Sequence, residues 1–510
     1  MMKQWAIIVL ILFWLGWHLA IPIDLVRSDI GRHIKNGELM VHGHWDVLYK
    51  NYYSYTYPQY PFINHHWLFG VFCYAVWHYF GFTGLSLIYL GLELFTFYVF
   101  FRCWQRFSSF PMLCAFGLLS FPLLSMRSEI RPEGVSFLFC GLFWYLIDSY
   151  QAKRLKPRHL AIILSLLQVI WVNTHIFFIM GPILTAIFWC QARGNGQSQQ
   201  ADVLRRIFWL LLGMGLINPS GINGFLTPFQ IDKAYSYMIT ENWSVFHYLN
   251  LKIMPDKSLY LYFLTTSGML TAALVFLIQR EGLKKYIFIG TLTLLLSIAA
   301  LTAVRMIGLY SFFWIPLTSY VYSRWLDPGP AKFRKNIEII LVVAGILVSS
   351  SVNFDWKQRH GFGIVPGTND AAEFFKREKI SGPIFNNYNI GGYLIFHLSP
   401  EYKFFVDNRM EAFPEAFFRQ TYVPMQLSND LWRTMDQRYR FNVIFYSPEL
   451  TPWGYNFIWD RFADPSWALV FFSQEAVIFL KRNEQNAQII RRFGKHVKII
   501  DSPIKIDIQS

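Results

Sequence analysis

Asp29 and His33 stand four residues apart in a polar stretch, Asp24 to His66, that is wedged between two apolar segments. On a helix this spacing puts a carboxylate and an imidazole on one face. A partly desolvated carboxylate beside a membrane can take the proton of a hydroxyl acceptor. General-base help of this kind is worth about 10² to 10⁴ in rate. The same stretch sets Asp24, Glu38 and Asp46 against Arg27, Arg32, Lys35 and Lys50, and it carries five of the thirteen histidines and a run of tyrosines. Asp24 reads equally as a helix cap or as a ligand that holds the loop. His33, His65 and His66 are candidates to bind substrate. The structural alternative for the whole stretch is a solvated loop lying on the membrane surface.

A second set of charges, RSEIRPEG, runs from Arg127 to Gly134 between two apolar segments. Charged groups at a membrane boundary are costly unless paired or occupied. Arg127 and Arg131 suit a phosphate or pyrophosphate, because guanidinium forks match those oxygens; with Glu133 they suit equally a salt-bridged knot that closes the loop. His175 ends the short turn WVNTH. Arg305 is a lone base between two apolar runs and serves either a ligand or a snorkelling role. Glu241, in ENW, reads as surface, with a place in the site as the alternative.

These residues must be held by membrane helices. The chain has 510 residues, 54% of them apolar and 15% charged, with an aromatic share of 19% that suits interfacial belts for the most part and also a carbohydrate-facing surface. A net charge of +14 lies in short loops between apolar runs, which excludes nucleic-acid binding and points to a cytoplasmic-side bias. The five cysteines lie in or beside apolar segments and make neither a disulfide framework nor a zinc site. The start of the sequence reads as a retained first span. With about 20 apolar residues needed per crossing, candidate spans are Trp5 to Ile23, Trp67 to Phe80, Thr83 to Phe101, Phe110 to Met126, Gly134 to Tyr150, Leu160 to Asn173, Ile176 to Gln191, Ile207 to Ile217, Leu259 to Ile278, Tyr286 to Val304, Met306 to Tyr322 and Ile337 to Ser350.

Basic loops around Arg154, Arg205, Lys284 and Arg334 orient the later spans. They place Arg127 to Glu133, His175, Arg305 and everything after Ser351 on the extracytoplasmic side. Twelve full crossings would contradict that placement. The expected count is therefore about 11 to 13 helices, with the irregularity between Trp67 and Met126. The expected division is a membrane module over residues 1–352, with its first loop at 24–66, and an α/β domain over 353–510. In the latter, DAAEFFKREK predicts a helix from Asp370, and PIFNNYN and KFFVDNR predict strands about a turn at Gly391-Gly392. RFNVIFYS predicts a strand and ALVFFSQEAVIFLKR a hairpin. No Walker loop, dinucleotide fingerprint, HExxH helix or nucleophile elbow is present.

The order SDIGRHIKNGELMVHGHW, YYSYT and HHWLFG, then RPE, WVNTH, NPSG, ENW and VRMIGLY, and finally NNYNIGGYLIF and FFVDNR, resembles membrane glycosyltransferases of the GT-C superfamily. It is most similar to a bacterial branch near the lipid A aminoarabinose and protein mannosyl transferases. The resemblance implies a GT-C-like polytopic helical fold in a bacterial inner membrane with a periplasmic C-terminal domain. It also implies a polyprenyl-phosphate sugar donor, a lipid, glycan or protein acceptor, and a first-loop acid as base. Carried over by position, that base is Asp29, and Arg127, Arg131, His175 and Arg305 would hold the donor phosphate. Asn51 and His66 stand where the resemblance leads one to expect acids. No cofactor is assigned beyond a divalent metal, which those positions leave open. The alternative reading is a transporter, flippase or assembly factor for lipid-linked glycans; against it, the charges gather at one face and no inverted repeat is visible.

Overall fold

The structure, a computed structural model, describes residues 2–234, 240–251, 257–351, 360–494, 497–500 and 505–508. The expected domain boundary at residue 352 lies outside the described residues. The chain forms two compact units. One comprises Met1–Pro22, Gly84–Pro228 and Ile239–Phe362, the other Ile23–Thr83, Phe229–Met238 and Gly363–Ser510.

The first unit is helical. Among the described residues of the whole chain, four helices are long and apolar enough to cross a membrane: Trp67–Phe107, Ile176–Gly194, Ser258–Glu281 and Leu283–Thr302. Phe110–Leu119 and Phe121–Arg127, bent by 45°, make a fifth if taken together, and Lys3–Leu19 and Pro157–Val172 are shorter apolar helices. The bend follows from Pro122, which has no N–H to continue the preceding helix. The candidates Trp67 to Phe80 and Thr83 to Phe101 are two helices that follow one another within Trp67–Arg102 and are separated by a kink at Gly81, where φ is 65°.

Helix Ile307–Leu326 is apolar around its circumference and buried along most of its length, as expected of a central helix. Its Trp314 indole donates to the Thr266 carbonyl at 3.3 Å. Much of the aromatic content fills this interior rather than belts: Trp144 and Trp171 are fully buried, and Trp104 meets Trp144 edge to face at 5.2 Å.

The second unit joins the polar first loop to the C-terminal region. Its sheet contains β1 (Ile384–Asn386), β2 (Val443–Tyr446), β3 (Trp467–Phe472) and β4 (Val477–Lys481) in the order β1-β2-β4-β3. The first pair is parallel and the other two antiparallel, and β3–β4 is the expected hairpin. The predicted helix at Asp370 is present as Asp370–Arg377, with its acids in the first turn and its bases in the last. A separate ladder pairs Val497–Ile500 with Lys505–Ile508.

KFFVDNR contributes a single paired residue rather than a strand. Phe404 bridges both Ile384 and Ser54 in parallel, so the YYSYT segment extends the sheet beyond β1. Past Phe404 the backbone is satisfied by a side chain: the Asn386 amide accepts from Phe405 N at 3.1 Å and donates to the Val406 carbonyl at 2.7 Å. Gly391-Gly392 opens a helix, Gly391–Leu398, instead of making a turn. The glycines are needed for close approach. A Cβ on Gly391 would lie 2.5 Å from Asp407 Cα, and one on Gly31 would lie 2.9 Å from the Gly392 carbonyl oxygen.

Candidate functional site

In the first unit the loop charges converge on Glu241. Arg127 lies 3.1 Å from both Glu133 and Glu241, and Arg131 lies 2.9 Å from Glu241 and 2.7 Å from Glu129. Helix Pro132–Gln151 positions Glu133 in its first turn, with Pro132 at its start. The Tyr89 hydroxyl fixes the other side of the turn, donating to the Arg131 carbonyl at 3.0 Å and accepting from Arg131 N at 3.3 Å. Burial opposes ionisation of Glu241, but the guanidiniums of Arg131 and Arg127, with Arg305 adding to them, hold its carboxyl down to about 2. Arg305 sits in the turn Val304–Met306, which is tied to the Glu241 loop by Val304 N donating to the Trp243 carbonyl at 3.0 Å.

Three of the four residues expected to hold a phosphate therefore gather about a single carboxylate. An incoming phosphate would find matching guanidiniums, but it would have to displace or share Glu241. Glu241, expected at the surface, is 31% exposed at the centre of the cluster. Its only sequence signal is its place in ENW.

His175 is placed differently. Its Nδ1 accepts from Phe177 N at 3.4 Å, capping the turn Ile176–Ile179, and lies 2.8 Å from Ser136 Oγ. Ser136 Oγ in turn accepts from the Trp171 indole at 2.7 Å. With Nδ1 accepting, the ring proton belongs on Nε2.

The remaining expected residues lie in the second unit. Asp29 ends the turn that leads into helix Ile30–Val41 and is about one-third exposed. Asn408 Nδ2 donates to Asp29 Oδ1, and Arg32 Nη2 lies 3.5 Å from Oδ2. Asp24 closes the preceding turn by accepting from Val26 N at 3.0 Å and Arg27 N at 3.1 Å, and it pairs with the Arg27 side chain at 3.2 Å. His33 and His66 stack at 5.6 Å between centroids, and His66 meets His65 edge-on at 3.9 Å. Burial pushes the His65 imidazole down to about 4, despite its Nδ1–H donating to the Ile63 carbonyl at 3.2 Å.

Beside Asp29 is a group that the sequence reading placed in the motif FFVDNR without giving its residues a role. Asp407 and Arg409 are both 0% exposed and joined by two bonds, Nε to Oδ1 at 2.8 Å and Nη2 to Oδ2 at 2.7 Å. The same Nη2 donates to Asn51 Oδ1 at 2.7 Å, and the guanidinium lies 4.8 Å from the ring centroids of Tyr53 and Phe62. A neutral amide at position 51 fits, because a second carboxylate there would be a like charge beside Asp407 in a closed interior. The available signal was three polar residues, Asp407 to Arg409, closing an apolar run.

Among the described residues, no group of three or more His, Cys, Asp or Glu side chains is placed to hold a metal ion. The two side chains that contact the Asp29 carboxylate are an amide and a guanidinium, Asn408 and Arg32.

No protein-family model matches the sequence, and no curated protein matches it at a significant level. Solved structures do match. The crystal structure of the Archaeoglobus fulgidus oligosaccharyltransferase complex with Zn and sulfate is similar at a TM-score of 0.55 and 11% identity, over 93% of this chain and 73% of that one. A second structure of that enzyme, tethered by a disulfide bond to an acceptor peptide containing the NVT sequon, is similar at 0.54 and 9%, over 95% and 74%. At these identities the likeness concerns the fold. The chain shares its fold with that enzyme: among the described residues several helices are long and apolar enough to cross a membrane, and an α/β region follows toward the C-terminus.

Proposed function

We propose that this protein is a membrane glycosyltransferase that moves a sugar from a polyprenyl-phosphate donor to a lipid, glycan or protein acceptor. We place it on the extracytoplasmic face of a bacterial inner membrane, in the branch near the aminoarabinose and protein mannosyl transferases. The observation that carries the reading is the fold likeness to an oligosaccharyltransferase over nearly the whole chain. The finer placement rests on the order of the sequence motifs.

In this reading the Asp29 carboxylate takes the proton of the acceptor hydroxyl as its oxygen bonds to the anomeric carbon. The bond from that carbon to the phosphate oxygen breaks, and polyprenyl phosphate leaves with the electron pair. The partial exposure of Asp29 supports its access to an acceptor. Arg127, Arg131 and Arg305 supply the positive charge that a phosphate leaving group needs, and Glu241 keeps them compensated before donor binds. His33, His65 and His66 are the candidates to bind substrate in the first loop, and His175 holds the turn Ile176–Ile179.

The experiment is mass spectrometry of envelope lipids and glycans from a deletion strain complemented with wild type or with Asp29→Asn. Loss of one residue mass in the deletion, restored by wild type and not by the variant at equal expression, is the expected result. A normal product with Asp29→Asn sinks the assignment. An unchanged residue inventory with altered sidedness of a lipid-linked glycan favours the transporter reading.

A further inference from the structure

We infer that Asn408 is a positioning residue that aims the Asp29 carboxylate; this rests on the reading of Asp29 as the base. The direction of the contact is set by chemistry. An ionised carboxylate only accepts, so the amide must present Nδ2 to Asp29 Oδ1, which leaves Oδ2 toward Arg32 at 3.5 Å. One oxygen is thereby tied and the other is less tightly engaged, the arrangement a base needs if it is to keep a fixed orientation and still take a proton.

Asn408 is itself held from three sides. The doubly bonded pair of its neighbours Asp407 and Arg409, with neither side chain exposed, fixes the backbone on either side of it. Arg409 then donates to Asn51, a residue of the first loop, at 2.7 Å. The glycine helix closes the third side: a Cβ on Gly392 would lie 2.8 Å from Asn408 Nδ2 and 3.3 Å from the Ser28 carbonyl oxygen. Only the bare backbone at 392 leaves the amide room to reach Asp29. A buried ion pair is a poor source of stability compared with an apolar replacement. Its value here is geometric, since it sets the residue between its partners.

The test uses the full-length protein in the complemented deletion strain and reads product per folded molecule, with folded protein quantified by size exclusion in detergent. Asn408→Ala should lower product by between about 10-fold and 100-fold, the scale expected when a reacting group is displaced by about 1 Å. Asn408→Asp keeps the shape but lacks the donor when ionised, so it should fall as far. Should the alanine variant fail to accumulate, Asn408→Gln, which keeps the amide but moves it outward, should still lose about tenfold. Wild-type product per folded molecule in Asn408→Ala or in Asn408→Gln overturns the inference, as does full rescue by Asn408→Asp. These outcomes are separable from failure of the parent reading: if Asp29→Asn abolishes product while Asn408→Ala does not, only the positioning role falls. If Asp29→Asn is itself normal, both fall.

Discussion

Arg409 and Asp407 share two hydrogen bonds, and neither side chain is exposed. Removing one member leaves the other charge buried without its partner, which costs about 3–5 kcal/mol. Arg409→Met should therefore lower the thermal midpoint in detergent more than a surface Arg→Met change. The pair Arg409→Met with Asp407→Leu should recover much of the loss. A double variant no more stable than the worse single one contradicts the coupling.

Gly31 faces the Gly392 carbonyl where a Cβ would lie 2.9 Å from the oxygen. Alanine in a helix gains at most about 1 kcal/mol over glycine, whereas forced overpacking costs about 1–3 kcal/mol. Gly31→Ala should thus be net destabilising, and it should impair product formation by pushing Asn408 away from Asp29. A stabilised, fully active Gly31→Ala would show that the contact is loose.

Glu241 sits among Arg131, Arg127 and Arg305, and its carboxyl is held down to about 2. In the unfolded chain such a group titrates near about 4.3. Its folded value is depressed, so its stabilisation is fully present above the unfolded value and is lost as pH falls toward 2. Glu241→Gln should therefore lose less stability than wild type between pH 5 and pH 2, measured as the thermal midpoint on a pH series. Parallel curves would rule out a lowered carboxyl.

His397 behaves in the opposite sense. Burial, with the charges of Lys376 and Lys35, pushes its imidazole down to about 3. An unfolded histidine titrates near about 6.5 and takes up its proton first as the solution is acidified. The folded state therefore loses stability from about pH 6.5 downward. His397→Gln should make that decline shallower, and His65, at about 4, should contribute in the same window. An equal slope with and without the imidazole would count against a buried neutral His397.

Local signals carried well where local physics decided. Acids then bases around DAAEFFKR marked a helix, and two short apolar runs, ALVFF and VIFLK, on either side of SQEA marked a hairpin. They failed where a distant group decided. Gly391-Gly392 looked like a turn because glycine pairs usually mark one. Here the pair is required by the backbone of Asp407, which lies against it. KFFVDNR looked like a strand, but the Asn386 side chain replaces its ladder. Arg127 and Arg131 stood out because charge beside apolar runs is conspicuous. Glu241, more than 100 residues later, gave no sign that it would be their shared partner. Asn408 stood in the motif FFVDNR, but nothing there pointed to its partner Asp29, 379 positions away.

That separation bears on synthesis as much as on architecture. Thr56 Oγ1 donates to the Phe405 carbonyl at 2.9 Å across 349 residues, and Ser54 bridges Phe404. The ribosome delivers the loop early and its pairing partners only in the last quarter of the chain. Until residues near Phe405 emerge, the loop has no sheet edge to join and Asp29 lacks Asn408. A nascent or prematurely terminated chain could insert its first helices and still have no assembled acid. Emergence of the segment around Phe405, rather than insertion of the first helices, would then be the step that gives the loop its partners.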